Sequence, residues 1–164
     1  RPVIAERGIH QSPPGDQYFK GALFLNTLRN VLDDDRKWWA LVREAYQHFK
    51  YQSIRTEDLV QLFNKRFEAE LTPIFDQYLR HAGLPVLELV FDEAASSVSY
   101  RWKVDEADFA MPIRVGKPKE WQTITPTVQW QTLSTRLGKE AFKVATDLYF
   151  VKITKSLRED EGAK

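Results

Sequence analysis

The stretch Thr72-Pro73-Ile74-Phe75-Asp76-Gln77-Tyr78-Leu79-Arg80-His81-Ala82-Gly83-Leu84-Pro85-Val86-Leu87-Glu88-Leu89-Val90-Phe91 changes its hydrophobic period partway along. Phe75, Tyr78, Leu79 and Ala82 recur at helical spacing, whereas Leu87, Leu89 and Phe91 alternate with Val86, Glu88 and Val90 as in a half-buried strand. The residues between are boundary residues. Thr72 is placed to cap a helix with Pro73 at its first position, where a missing N–H costs nothing. Gly83 offers the left-handed residue after such a helix, Leu84 the hydrophobic contact beyond it, and Pro85 the stop. The spacing predicts a helical unit over residues 1–83 and a β unit over 84–157, an α+β fold, with a frayed charged tail over 158–164.

Toward the N-terminus the helical period persists. Ser12-Pro13-Pro14-Gly15 is a loop signal, Asp16 stands where an N-cap belongs, and a first helix is expected over Gln17 to Leu32. Its centre, Ala22-Leu23-Phe24-Leu25, is apolar on nearly every side, and a helix of that kind is normally buried all round. Three further short helices are too few to enclose it, so part of its packing is expected from outside the chain. A second helix, about Asp34 to Phe49, carries Trp38, Val42, Ala45, Tyr46 and Phe49 as one stripe. Asp33, Asp34 and Asp35 crowd its start, where the helix dipole favours negative charge; that run reads as a helix start and not as a metal site. Thr56 caps a third helix with Leu59, Leu62, Phe63 and Phe67 inward.

Toward the C-terminus the period of two continues. Val98 to Val104 alternates cleanly, and further strands are expected near Phe109 to Val115, Trp121 to Ile124, Thr127 to Trp130, Ala141 to Val144 and Leu148 to Ile153. Their short spacing suits a small antiparallel sandwich. Pro112 and Pro126 belong at strand ends or edges. Trp102, Trp121 and Trp130 are expected in an inter-sheet core, and Lys117, Lys119, Lys152 and Lys155 as solvated edge charges.

Composition bounds the function. Of 164 residues, 43% are hydrophobic and 29% charged, enough apolar material for a core. The 24 Lys and Arg nearly cancel the 23 Asp and Glu, so no field of one sign points to nucleic acid or to an anionic membrane. No apolar run approaches a membrane span. There is no cysteine, which excludes thiolate metal sites and fits either redox compartment. His10, His48 and His81 lie more than thirty residues apart and form no local metal motif. The sequence opens on Arg1 and its only methionine is Met111, from which a piece of a larger protein is expected.

Gln17-Tyr18-Phe19-Lys20-Gly21 is the window that bears on chemistry. A tyrosine in the first turn of a helix sits near free backbone N–H groups and the positive end of the dipole. Gly21 follows on the same face, at a cost of about 0.8–1 kcal/mol against alanine in a helix interior. That cost suggests close approach of something to the backbone beside Tyr18. A buried tyrosine at a helix–helix crossing, with Gly21 admitting the neighbour, accounts for the same residues.

Tyr18-Phe19-Lys20-Gly21-Ala22-Leu23, with Leu25 and Leu28-Arg29 further along, resembles the Tyr-x-Lys-Gly helix of zinc aminopeptidases, the gluzincins related to aminopeptidase N and leukotriene hydrolase. The resemblance continues through Tyr51-Gln52-Ser53-Ile54-Arg55-Thr56-Glu57-Asp58, which looks like that family's link into its next helix, and reaches Gly83-Leu84-Pro85. It implies a truncated α-helical end of a metallopeptidase catalytic domain followed by a small antiparallel β-sandwich.

In that family an H-E-x-x-H helix and a later glutamate hold the zinc. Neither occurs in this chain, so the resemblance implies zinc in an intact parent, with its ligands N-terminal to Arg1 and none bound by this fragment. Carried over to Tyr18, it implies the transition-state-stabilising tyrosine, whose phenol donates to the developing oxyanion. The partners implied are a peptide substrate and the remainder of the catalytic domain, and the isolated fragment is expected to be inactive. His10 would border the cleft of such a parent. A non-catalytic module stays open beside this reading, with Tyr18 as core and the β unit engaging protein or glycan, as does a degenerate peptidase relative.

Overall fold

The computed structural model describes residues 2–4 and 16–158. The expected loop Ser12 to Gly15, His10 and the tail beyond residue 158 lie outside the described residues, as does the side chain of Asp16. Among the described residues four helices, α1 (Asp16–Leu32), α2 (Asp35–Phe49), α3 (Thr56–Phe67) and α4 (Thr72–Arg80), precede seven strands. These are β1 (Val86–Asp92), β2 (Ser97–Lys103), β3 (Ile113–Lys117), β4 (Glu120–Ile124), β5 (Gln131–Ser134), β6 (Lys143–Val144) and β7 (Lys152–Leu157). The strands form two small sheets, β5-β2-β1-β7 and β4-β3-β6. The chain is α+β, as its periods predict.

The helix starts are built from local hydrogen bonds. Asp34 caps α2 by accepting from Lys37 N at 3.0 Å, while Asp35 forms a two-pronged pair with Arg29 of α1. The aspartate run is thus a helix start. Asp33 takes the left-handed conformation between the two helices and pairs with Arg114 of β3. Thr56 and Thr72 lie inside their helices and do not cap them; the cap residues are Arg55 and Leu71. The Asp58 carboxylate accepts from Arg55 N, and Asn64 Oδ1 accepts from Leu71 N, each at 2.8 Å. These bonds hold the N–H groups of the cap residues themselves, not the N2 and N3 donors that a threonine cap serves.

The end of α4 also departs from expectation. The helix stops at Arg80, His81 is extended (φ −101°, ψ 146°), and Gly116 is the glycine with positive φ among the described residues. Gly83 is therefore no left-handed cap. The buried Gln77 side chain reaches Gly83 O at 3.2 Å and closes the turn instead, leaving Ala82 exposed. On α2 the inward face is Trp38 and Leu41, with Val42 and Tyr46 exposed.

In β1, Leu87, Leu89 and Phe91 are buried and their neighbours half-buried, as the alternation predicts. Pairing is antiparallel except between β1 and β7, which run parallel with Val86 opposite Lys152. Phe109 to Pro112 is not strand: β3 begins at Ile113, directly after the proline that cannot donate to a ladder. Thr127 to Trp130 is irregular and the strand follows it, with Gln131 Oε1 accepting the Thr127 N–H at 3.0 Å across this segment. Leu148 to Phe150 is turn, and β7 starts later than expected. Arg158 does not fray: its N–H donates to Phe91 O at 2.8 Å.

One apolar cluster runs through helices and sheets, from Phe24, Leu28, Phe75 and Tyr78 to Leu87, Trp102, Met111 and Phe142. The Phe24 and Tyr78 rings stack at 4.7 Å, and Trp102 meets Phe109 edge-on. Trp121 packs against this cluster, but Trp130 is 47% exposed with the Arg101 guanidinium 4.5 Å from its ring centre. Lys155 is likewise no solvated edge charge. Its ammonium turns in to Phe142 O (2.6 Å) and Lys139 O (3.0 Å), and burial lowers its pKa.

Candidate functional site

Helix α1 presents two faces with different fates. Lys20, Phe24, Thr27 and Leu28 fall at i, i+4, i+7 and i+8 and are all buried. Thr27 Oγ1 donates to Leu23 O (2.9 Å) and accepts from Phe150 N (2.9 Å), so this hydroxyl joins α1 to the segment before β7. Asn30 Nδ2 reaches Leu148 O at 3.2 Å, and the Tyr78 hydroxyl of α4 reaches Phe150 O at 2.9 Å. Residues 148–150 are thus seated on α1 and α4 together, and α1 is held along its inner side.

The outer face is uncovered. Tyr18, the third residue of α1, is 75% exposed, and Phe19, Leu23 and Leu25 are exposed as well. Among the described residues nothing lies within 4 Å of where a Cβ on Gly21 would stand. The crossing helix that would make Tyr18 a core residue is therefore not among them. The exposed strip continues onto α2: the Arg29 guanidinium lies 5.6 Å from the Trp39 ring centre, and Trp39, Val42 and Tyr46 are exposed.

Phe19, Leu23, Gly83, Leu84, Phe150 and Lys152 line a shallow groove of about 340 Å³ beside the first turns of α1, with the buried Lys20 at its edge. Tyr18 does not line it. The structure brings Lys20, the end of α4 and the residues before β7 together, and keeps Tyr18 and Gly21 on a separate, open face.

Beneath the groove the helices and the β2–β3 connection are locked by one side chain. Gln77, fully buried, accepts from Asp105 N (2.8 Å) and Glu106 N (3.2 Å) and donates to Asp105 Oδ2 (3.1 Å) and Gly83 O (3.2 Å). His81 Nε2 is 2.6 Å from Glu106 Oε1, and its main-chain carbonyl accepts from Lys20 Nζ at 2.6 Å. A Cβ on Gly83 would meet Asp105 Oδ2 at 3.3 Å, so the small residue lets this carboxylate sit close. His48 is exposed, its ring edge-on to Phe49.

Lys20 and Gln77 have no role in the sequence reading. The signal for Lys20 is its register with Phe24, Thr27 and Leu28, masked by the habit of placing lysine outside. Among the described residues no group of three or more His, Asp or Glu side chains is placed to hold a metal ion.

No family model matches the chain, and neither does any curated protein. Among solved structures it is similar to Legionella pneumophila aminopeptidase A in complex with aspartic acid, with a TM-score of 0.64 and 10% identity over 84% of this chain. The chain spans 18% of the length of that protein. At this identity the likeness is one of fold: the α+β unit described above is shared with a segment of an aminopeptidase.

Proposed function

We propose that this chain is the C-terminal part of a zinc-dependent aminopeptidase that removes N-terminal residues from peptides. Tyr18 supplies the donor that stabilises the transition state, residues 1–83 close the helical catalytic domain, and the two sheets serve as its structural β-sandwich. The observation that carries this reading is the open phenol of Tyr18 in the first turn of α1, within a fold shared with part of an aminopeptidase.

The described residues bring no three His, Asp or Glu side chains together and so do not fit a zinc ion. The ligands belong, on this reading, to the remainder of the catalytic domain N-terminal to Arg1. The uncovered strip from Tyr18 and Leu25 to Trp39 and Tyr46 supports it, being apolar surface of the kind that a protein partner covers. The role of this chain's own residue is narrow. As a tetrahedral centre forms on the substrate, a neutral phenol donates a hydrogen bond to the oxygen gaining charge, a contact stronger in the transition state than in the ground state.

The test is Tyr18→Phe in the longest polypeptide that contains this chain. A loss of about 10²–10³ in turnover is expected, with KM and zinc content unchanged. Near-wild-type turnover overturns the assignment. The chain alone is expected to release nothing from aminoacyl-anilide substrates, with or without added zinc. An upstream sequence lacking H-E-x-x-H and a later glutamate would favour a degenerate relative or a scaffold module.

A further inference from the structure

Lys20 sits in the apolar turn Phe19-Lys20-Gly21-Ala22-Leu23-Phe24, yet it is 7% exposed while Phe19 and Leu23 beside it face solvent. Withdrawing an ammonium from water is costly unless hydrogen bonds replace its hydration. Lys20 Nζ donates to the carbonyl of His81 at 2.6 Å, a short charge-assisted bond. The acceptor stands just past the last turn of α4, where helix carbonyls lack internal partners and the dipole favours a cation. The acceptor is itself held. The His81 ring is paired with Glu106, and Gln77 grips the backbone of Asp105 and Glu106.

We propose that Lys20 is a positioning residue for Tyr18: its bond to His81 O fixes the rotation of the first turns of α1, and with it the bearing of the phenol. This rests on the reading of Tyr18 as the oxyanion donor. At about 100° per residue, positions 18 and 20 point to nearly opposite sides of the helix, so an inward lysine sets an outward tyrosine. The first-turn N–H groups have no i−4 acceptors, so this end of the helix is held by fewer backbone bonds than the interior and gains most from a side-chain anchor. The uncovered outer face supplies no anchor among the described residues, and Gly21 stiffens nothing. An oxyanion donor demands such control, since a misplacement of about 1 Å costs about a hundredfold in rate.

The absence of native cysteine makes a clean experiment possible. Lys20→Cys introduces a single thiol, and aminoethylation rebuilds a lysine-length ammonium with sulfur in place of Cγ. Hydrogen exchange is followed at the amides of Ala22, Leu23 and Phe24, which bond back to residues 18–20, with the amides of α3 as internal reference. Lys20→Cys and Lys20→Met are expected to speed exchange at these three amides about tenfold, with α3 unchanged, and aminoethylation to restore protection. Unchanged exchange overturns the proposal. So does an equal rise across α3, which would make the lysine a support of the whole fold.

In the longer polypeptide, Lys20→Met is expected to lower kcat about tenfold to a hundredfold at unchanged KM. An unaffected kcat beside a large loss in Tyr18→Phe overturns the positioning role. Should Tyr18→Phe keep its turnover while exchange behaves as expected, the aminopeptidase reading fails and the anchoring of the turn by Lys20 stands.

Discussion

The hydroxyl of Tyr78 donates to the carbonyl of Phe150 at 2.9 Å, across 72 residues of sequence, and binds α4 to the segment that leads into β7. Tyr78→Phe keeps the ring that stacks on Phe24 and deletes only the donor. A buried acceptor that loses its donor costs about 1–3 kcal/mol. Urea unfolding of the chain is expected to show a lower midpoint with an unchanged slope; an unaltered midpoint would mean the bond contributes nothing net.

Burial pushes the phenols of Tyr78 and Tyr149 above the ordinary tyrosine range. A group whose folded pKa is raised contributes its full stability below the unfolded value, near ~10, and loses it as pH climbs toward the folded one, because only the unfolded chain releases the proton in that window. The fold is therefore expected to weaken steadily above about pH 10, and Tyr78→Phe to flatten that decline. Phenolate absorbance recorded alongside circular dichroism checks it: these two rings should ionise only as helicity is lost.

Gly21→Ala separates fold from function. With no described residue within 4 Å of the new methyl, the substitution is expected to stabilise this chain by about 0.8–1 kcal/mol through helix propensity alone. In the longer polypeptide the same change is expected to reduce turnover, because a methyl there meets whatever approaches the backbone beside Tyr18. A thermal melt of the first and a turnover assay of the second give independent answers.

Gln77→Ala strips two backbone N–H groups and one carbonyl of their partner at the junction between α4 and the β2–β3 connection. The expected loss is about 1–3 kcal/mol, more than exposed ion pairs such as Arg80 with Glu57 would show. Exchange of the Asp105 and Glu106 amides should quicken before the rest of the chain. Protection that persists there would show that another group can take over.

The change of architecture near residue 84 was legible because it is written in period and punctuated by Pro85. The face of α2 was not. Trp38 with Leu41 and Trp38 with Val42 both satisfy helical spacing, and only the packing of α2 against its neighbouring helices turns Leu41 in. Phe109 and Met111 read as strand because they are apolar at alternate positions, but they are buried by packing on Trp102, whose indole N–H donates to Met111 O, without ladder bonds. The parallel pairing of β1 with β7 joins segments about sixty residues apart, beyond the reach of any local pattern. At the site, the apolar excess of α1 foretold an uncovered face. The burial of Lys20 was equally present in its spacing and was overruled by its charge.

The pairing of β1 with β7 also bears on the order in which the molecule can be completed. During synthesis α1 to α4 and strands β1 to β6 leave the ribosome before residues 148–157, yet those residues carry the partners of Thr27, Asn30 and Tyr78 and, among the described residues, the parallel neighbour of β1. Until they emerge, α1 is tied to the end of α4 at Lys20 but lacks its bonds at Thr27 and Asn30, and one edge of β1 stays open to whatever strand is nearest. A nascent chain stalled before Lys152 is thus exposed to misassociation along β1, and residues 148–157 stitch helices and sheet together.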